Sequence, residues 1–420
     1  MICIYGKWRV GNGLERFCQY NHISYEVKDD ADNFTDFSRY SVIVPSPGIT
    51  PSHRIYQTGK IIGELDFVYG FLPKGFKILS VTGTDGKSTT AWILYNLLKM
   101  EYGEDRVFLS GNFEIPFAET VTIIQERWFK TGYIVLEVSS FMSYNITSFK
   151  STHSIFTNFE IDHLNWHTDL QEYFDAKIRL FENTTGISCI NEQVFQRAKA
   201  WDLNISQHIP NIRFFGTNHI LKDRTDGENI IISNRKKYIL SETHFSGLHN
   251  AMNILSCTLI TNVLKICSKR TWEYLKNISG LAHRMEQVIV KNGITFIDDS
   301  KSTSAQSLLA ALWSFEDKNT YLIAGGSDKW DSFEHLGVML QEKVKHAELI
   351  GATRKTIWEI CKQKGVSFHY SESMDEAVRL SAQAAKQGDN ILLSPGCASF
   401  GMFRDYLDRA NKFREAIEKI

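Results

Sequence analysis

Residues Phe76 to Leu98 read F-K-I-L-S-V-T-G-T-D-G-K-S-T-T-A-W-I-L-Y-N-L-L, and the fold is decided here. Phe76–Val81 is an apolar run of strand length, and Ala91–Leu98 has the spacing of a helix. Gly83 and Gly86 between them permit a tight turn. A strand, a glycine turn and a helix N-terminus make an anion site, because free backbone N–H groups and the helix dipole converge on one point. Gly83, Thr84 and Gly86 form the cradle, Lys87 reaches towards outer phosphates, and Ser88 or Thr89 offers a hydroxyl to magnesium. The loop therefore suits a nucleoside triphosphate. Only Thr84 and Asp85 separate the glycines, a shorter spacing than the common phosphate-loop rule, and an ordinary turn is the competing reading.

Outward from this loop, apolar strand-like runs alternate with helical patterns, which predicts an α/β protein with largely parallel sheets. The 420 residues exceed one core and divide into three blocks, 1–74, 75–281 and 282–420, with Pro73-Lys74-Gly75 and His283-Arg284 as hinges. The first block is a small Rossmann-like domain. Its strands are Ile2–Tyr5 and Ser41–Val44, and Trp8 stands where a dinucleotide fingerprint has its second glycine. The central block is the parallel-sheet nucleotide domain. The last is again Rossmann-like, with strands at Ile294–Ile297, Tyr321–Ala324 and Asn390–Leu393. A net charge of −1 with 23% charged residues argues against an electrostatic binder of nucleic acid. Seven cysteines without a C-x-x-C pair suggest neither a zinc ribbon nor a disulfide framework. The opening residues lack a signal-peptide pattern and no apolar run has membrane-spanning length, so a cytoplasmic protein with no membrane partner is expected.

Ligands of open α/β sheets collect beyond the carboxyl ends of strands. Tyr133–Leu136 leads there into Glu137, and Ser154–Thr157 leads into Asn158, Asp162 and His163. An acid and an imidazole at neighbouring strand ends could hold magnesium. The helix Leu170–Phe181 has an apolar stripe at 170, 173, 174, 178 and 181, with Lys177 on the buried face. An ammonium so placed must snorkel, pair with an acid or be chemically changed, and spacing favours snorkelling. In the last block, Asp298-Asp299-Ser300-Lys301-Ser302-Thr303 and Gly325-Gly326-Ser327-Asp328-Lys329 set lysines and hydroxyls on turns, which suits a carboxylate or phosphate; such turns are also rich in these residues for conformational reasons.

Taken together the motifs resemble the Mur ligases of peptidoglycan synthesis, over the whole chain. The loop T-G-T-D-G-K-S-T is similar to the family's T-G-T-N-G-K-S-T. Gly111-Asn112, Glu137-Val138-Ser139-Ser140-Phe141, Asp162-His163-Leu164, Ala176-Lys177, His249-Asn250-Ala251-Met252-Asn253 and His283-Arg284-Met285-Glu286 follow in the family's order. The 298–303 segment, the 325–329 turn and Leu393-Ser394-Pro395-Gly396-Cys397-Ala398-Ser399 look like the branch that adds D-glutamate to UDP-N-acetylmuramoyl-L-alanine. The resemblance implies an ATP-dependent amide ligase working through an acyl phosphate, as a cytoplasmic monomer with magnesium or manganese. It gives Lys87, Ser88 and Thr89 to the phosphates and metal, Glu137 and His163 to metal, and Lys177 to a carbamylated lysine that shares a metal. Asn250 and Asn253 would contact adenine, while Arg284 and Asp299 would reach the nucleotide. Gly48 and Asn112 would meet the UDP-linked substrate. Lys301, Thr303, Lys329, Ser399 and Tyr406 would meet D-glutamate.

The sequence departs from the family mainly at Trp8, Arg9 and Val10 in a short first domain, and at Asp85, Met142 and Ser304. These departures leave room for a Mur-type ligase with another acceptor or amino acid. A non-catalytic nucleotide-binding descendant is the reading from a different class, disfavoured by the joint presence of Lys87, Glu137, His163 and Lys177.

Overall fold

Gly75–Thr82 is a strand and Lys87–Tyr102 a helix in the computed structural model, which describes residues 1–420 apart from 33–35, 114, 165, 206–208, 234–235, 246, 316, 328–332, 334–335 and 400. Contacts divide the chain into two compact units, Met1–Ile278 and Ser279–Ile420.

The first unit is built on a parallel six-stranded sheet ordered Val107–Gly111, Thr131–Glu137, Gly75–Thr82, His153–Phe156, Ser188–Asn191, Ile212–Phe215. Successive strand residues face opposite sides: Ile78 and Ile134 enter one core cluster, Leu79 and Val135 the other. Burial on both faces explains why these strands read as continuous apolar runs. Gly75–Thr82 lies inside the sheet, flanked by Thr131–Glu137 and His153–Phe156. The crevice beyond its carboxyl end is thus a switch point of the winding, where such sheets take ligands. A three-stranded antiparallel sheet, Arg224–Thr225, Asn229–Ile232 and Lys236–Ile239, adds an element the alternating pattern did not announce.

The opening block forms a small parallel sheet ordered Tyr25–Lys28, Ile2–Tyr5, Val42–Pro45. It belongs to the same compact unit as the large sheet, tied to it by polar contacts. Arg16 pairs with Glu119 and Glu126, each at 2.9 Å. Asp66 accepts from the backbone N–H groups of Thr147, Ser148 and Phe149 at 2.7, 2.9 and 2.5 Å. Glu64 is buried at the start of the helix Phe117–Glu126, accepting from Ala118 N at 2.9 Å, and its Oε2 has no partner among the described residues.

Burial raises the Glu64 carboxyl to about 7, against the pull of the Ala118 and Phe117 N–H groups. The folded state therefore binds this proton more tightly than the unfolded chain. The associated stability is complete below about pH 4.5 and is lost as pH rises through 7. Between pH 5 and 8 the first unit of Glu64→Gln should lose about 2–3 kcal/mol less stability than wild type, as read by urea unfolding at both pH values. Parallel pH slopes for the two proteins would contradict this.

The second unit holds a six-stranded sheet ordered Glu286–Lys291, Ile294–Asp298, Asn390–Leu393, Thr320–Gly326, Val344–Gly351, Ser367–Tyr370. All neighbours are parallel except the edge strand Glu286–Lys291. Its register shift between Gln287 and Ile289 and its exposed Ile289 and Val290 hide it from any period-2 reading. The sheet is again buried on both faces, with Leu322 and Leu392 in one cluster and Ile323 and Ile391 in the other. No helix among the described residues is long and apolar enough to cross a membrane.

Candidate active site

The phosphate loop takes its shape from its glycines and from the strand end beside it. Gly83 has φ 152° and Gly86 φ 76°, the second at the start of the helix Lys87–Tyr102. A Cβ on Gly83 would meet Thr157 Oγ1 at 1.9 Å, and one on Gly86 would meet Asn253 Oδ1 at 2.7 Å. Thr157 Oγ1 donates to Asp85 O at 2.6 Å, while Asn158 Oδ1 accepts from Asp85 N at 2.8 Å. Thr84 Oγ1 and Tyr173 OH lie 3.0 Å apart. The loop is thus clamped from the His153–Phe156 strand end and the following helix. Gly83→Ala must displace Thr157 and strain the backbone, and should weaken binding of a nucleoside triphosphate at least about tenfold in calorimetric titration, roughly 1.4 kcal/mol. Unchanged affinity would show that the cradle does not need this approach.

Lys87 Nζ donates to the carbonyls of Gly83 at 3.0 Å and Thr84 at 2.6 Å, so the lysine lies along the cradle. Lys177 does not snorkel. The residue is 1% exposed, donates to Gly83 O at 2.7 Å and stands over the Tyr173 ring at 4.7 Å. Burial, then the charge of Lys87, push its ammonium well below the ordinary lysine range, against weaker support from Asp162, Asp85 and Glu137.

Glu137 ends its strand 2% exposed. Its Oε1 accepts from Asn112 Nδ2 at 2.8 Å, its backbone O accepts from Asn112 N at 2.9 Å, and Oε2 has no partner among the described residues. His163 sits in a left-handed backbone conformation, φ 56°, with its ring 4.8 Å from Phe141 and 5.8 Å from Tyr173. Burial lowers its pKa despite Asp162. A buried carboxylate oxygen of Glu137 without a partner among the described residues, the imidazole of His163 and the hydroxyl of Ser88 are donor types that a divalent cation takes. Asn253 is buried beneath the loop, accepting from Thr90 Oγ1 at 3.1 Å and donating to Asn250 Oδ1 at 3.4 Å. Gly48 lies exposed after Val42–Pro45, with nothing within 4 Å of a Cβ there.

In the second unit Asp299 is engaged internally: it accepts from Ser394 Oγ at 2.7 Å and Met285 N at 3.2 Å, and burial raises it to about 7. Lys301 Nζ stands 5.4 Å over the Tyr406 ring, and His283 packs on the same ring at 6.1 Å. Ser399 is buried, Thr303 and Arg284 half-buried. Lys329 lies outside the described residues. His283, Glu286 and Asp298 come close together, and Arg414 supplies their positive charge with bonds to Glu286 at 2.8 Å and Asp298 at 3.2 Å.

Two further residues here gain their significance from the structure. His167 reads as a loop histidine but is buried against Ser140, with Nε2 at 2.9 Å from Ser140 Oγ. Arg409 reads as one more charge on the helix Tyr406–Glu418, yet is fully buried and donates to Cys397 O at 3.0 Å and Ser300 O at 2.7 Å. It thereby joins the two loops that follow Ile294–Asp298 and Asn390–Leu393. Its position facing inward beside Ala410 and Phe413 was the available signal.

The family model described as Mur ligase middle domain matches residues 81–261, and the one described as Mur ligase, glutamate ligase domain matches 283–397. A UDP-N-acetylmuramoylalanine–D-glutamate ligase of Aquifex aeolicus is 33% identical over 426 residues, spanning 99% of this chain and 98% of the relative. One from Caldicellulosiruptor bescii is 34% identical, with 93% and 85% covered. Among solved structures, the UDP-N-acetylmuramate–alanine ligase of Thermotoga maritima superposes with a TM-score of 0.64 at 16% identity, covering 100% of this chain and 99% of that one. The MurF ligase of Thermotoga maritima in complex with ADP superposes at 0.58 and 18% identity, covering 90% and 88%. These two carry the likeness of fold. With both family models in sequence and full-length relatives above 30% identity, the chain belongs to the Mur ligase family.

Proposed function

We propose that this protein is an ATP-dependent ligase that joins D-glutamate to UDP-N-acetylmuramoyl-L-alanine in peptidoglycan precursor synthesis, acting in the cytoplasm as a monomer. The observation that carries the chemistry is the gathering of Lys87, Lys177 and a half-satisfied Glu137 around a phosphate loop at the switch point of the sheet. The choice of substrates is supported by the full-length relatives named for that reaction. The three-domain division 1–74, 75–281 and 282–420 goes with this reading, one domain for each substrate.

A carboxylate resists attack by an amine because its leaving group would be an oxide. The substrate ATP therefore gives its γ-phosphoryl to the L-alanyl carboxylate, and phosphate departs from the resulting acyl phosphate when the D-glutamate amine forms the amide. Lys87 and Ser88, with Thr89 beside them, hold the phosphates, and fixed charges at the loop lower the cost of charge migration. Ser88, Glu137, His163 and a carbamylated Lys177 would hold magnesium or manganese, which neutralises phosphate charge when bound. Asn250 and Asn253 serve the adenine side, and Arg284 and Asp299 are further candidates for the nucleotide. Gly48 and Asn112 serve the UDP-linked acceptor, and Lys301, Thr303, Lys329, Ser399 and Tyr406 the incoming amino acid.

Phosphate release from ATP by the purified protein with UDP-N-acetylmuramoyl-L-alanine tests the reading. Release should depend on D-glutamate, fail with L-glutamate, and yield a product heavier by one glutamyl residue in mass spectrometry. Turnover with a different acceptor or amino acid alone would replace the substrates. ATP binding without turnover on any acceptor would favour the non-catalytic reading.

A further inference from the structure

His167 lies four residues beyond His163, buried to 2% exposure. Its backbone N donates to His163 O at 3.0 Å, so it closes the turn that carries His163. Its ring is caged by Phe141, Tyr144, Trp166 and Tyr173 at 5.8, 6.3, 4.5 and 5.2 Å. Nε2 meets Ser140 Oγ at 2.9 Å, and Nδ1 faces Glu172 Oε2 at 3.5 Å. Glu172 is itself fixed, accepting from Thr168 N at 2.8 Å and Tyr144 OH at 3.2 Å. Nδ1 makes no hydrogen bond among the described residues, and Nε2 meets the Ser140 hydroxyl as donor or acceptor according to the tautomer. Burial keeps the imidazole neutral, down to about 4.

Ser140 is fully buried, three residues after Glu137 and next to Ser139, whose Oγ caps the turn by accepting from Met142 N at 3.3 Å. The 2.9 Å bond therefore ties the segment leaving one strand, with Glu137, to the turn after another, with His163. Within the first unit it is a side-chain link between the two strand ends from which the proposed reading takes its metal-holding carboxylate and imidazole. The strands are each hydrogen-bonded within the sheet, so the bond acts on the segments just beyond their ends, where Ser140 and His163 stand.

We infer that His167 is a positioning residue, which through Ser140 sets the distance between Glu137 and His163 and so the affinity of the site for a divalent cation. This rests on the proposed function only for the identity of the cation site. His167→Phe keeps the cage and removes the link, Ser140→Ala removes it from the other side, and His167→Gln returns a polar atom near Nε2. Manganese affinity is measured by electron paramagnetic resonance with a non-hydrolysable ATP analogue, alongside kcat, KM and thermal unfolding. Loss of a group bonded directly to a metal ligand costs about 10–100-fold in metal affinity, and the link through Ser140 acts one residue further out, so the low end of that range is expected. His167→Phe and Ser140→Ala should each weaken manganese at least about tenfold, and the double variant no further, with KM for D-glutamate unchanged; His167→Gln should recover most of the loss. Wild-type manganese affinity in folded His167→Phe, or additive losses in the double variant, would overturn the inference. Wild-type protein that binds manganese yet turns over no acceptor would refute the proposed function and leave this inference standing. Turnover without a saturable manganese site would do the reverse.

Discussion

Lys177→Met is expected to lower kcat by about 10³-fold or more while leaving the first unit at least as stable as wild type. The two halves of this result have one cause. Among the described residues the ammonium donates to Gly83 O and stands over an aromatic face, while burial and Lys87 outweigh the support of Asp162, Asp85 and Glu137. A buried charge so poorly compensated is costly, and methionine fills a similar volume without it. A lysine kept at such a place despite the cost points to chemistry. Burial favours the neutral amine, which is the form that adds to carbon dioxide, and the carbamate would turn an unwanted cation into a metal-sharing acid. Turnover of wild type should accordingly fall in buffers stripped of carbon dioxide and return with bicarbonate. Near-wild-type kcat in Lys177→Met would remove the residue from the reaction, and a marked loss of thermal stability would assign it to the core instead.

Arg409→Ala should cost the second unit about 4 kcal/mol, seen in calorimetry as a fall of roughly 10 °C in the transition of residues 279–420. The guanidinium is fully buried, and burial lowers it to about 10, yet it holds the carbonyls of Cys397 and Ser300 at 3.0 and 2.7 Å. Truncation leaves two carbonyls without these donors and opens a cavity of most of a side chain. The same change frees the loops bearing Lys301, Thr303 and Ser399, so KM for D-glutamate should rise more than KM for ATP. An unchanged melting profile would mean that water replaces the guanidinium without penalty.

Much of the fold was legible. Phe76–Val81 and Ala91–Leu98 announced their strand and helix because period and glycine placement are local, and Leu170–Phe181 announced its helix for the same reason. The edge strand Glu286–Lys291 and the antiparallel piece around residues 224–239 were not legible, since one carries a register shift and the other has a strand of two residues. The candidate site shows the same division. Glu137 and His163 could be singled out by their place after apolar runs. His167 could not, because a histidine in a loop looks like a solvent-facing residue until its surroundings are known, and Arg409 carried only the signal of its place beside Ala410 and Phe413 on the helix.

The sequence by itself determined the strand–loop–helix that makes an anion cradle, the order of strand ends on which polar residues stand, and the buried stripe that includes Lys177. These follow from backbone preferences and side-chain spacing within a few residues. Only the tertiary structure excluded snorkelling for Lys177, since its partner Gly83 lies 94 positions away, and likewise joined His167 to Ser140 and Arg409 to Ser300. Which buried polar group meets which is settled by how the sheets stack their strand ends, and unmet hydrogen-bonding capacity inside a core is too costly to leave that choice to chance.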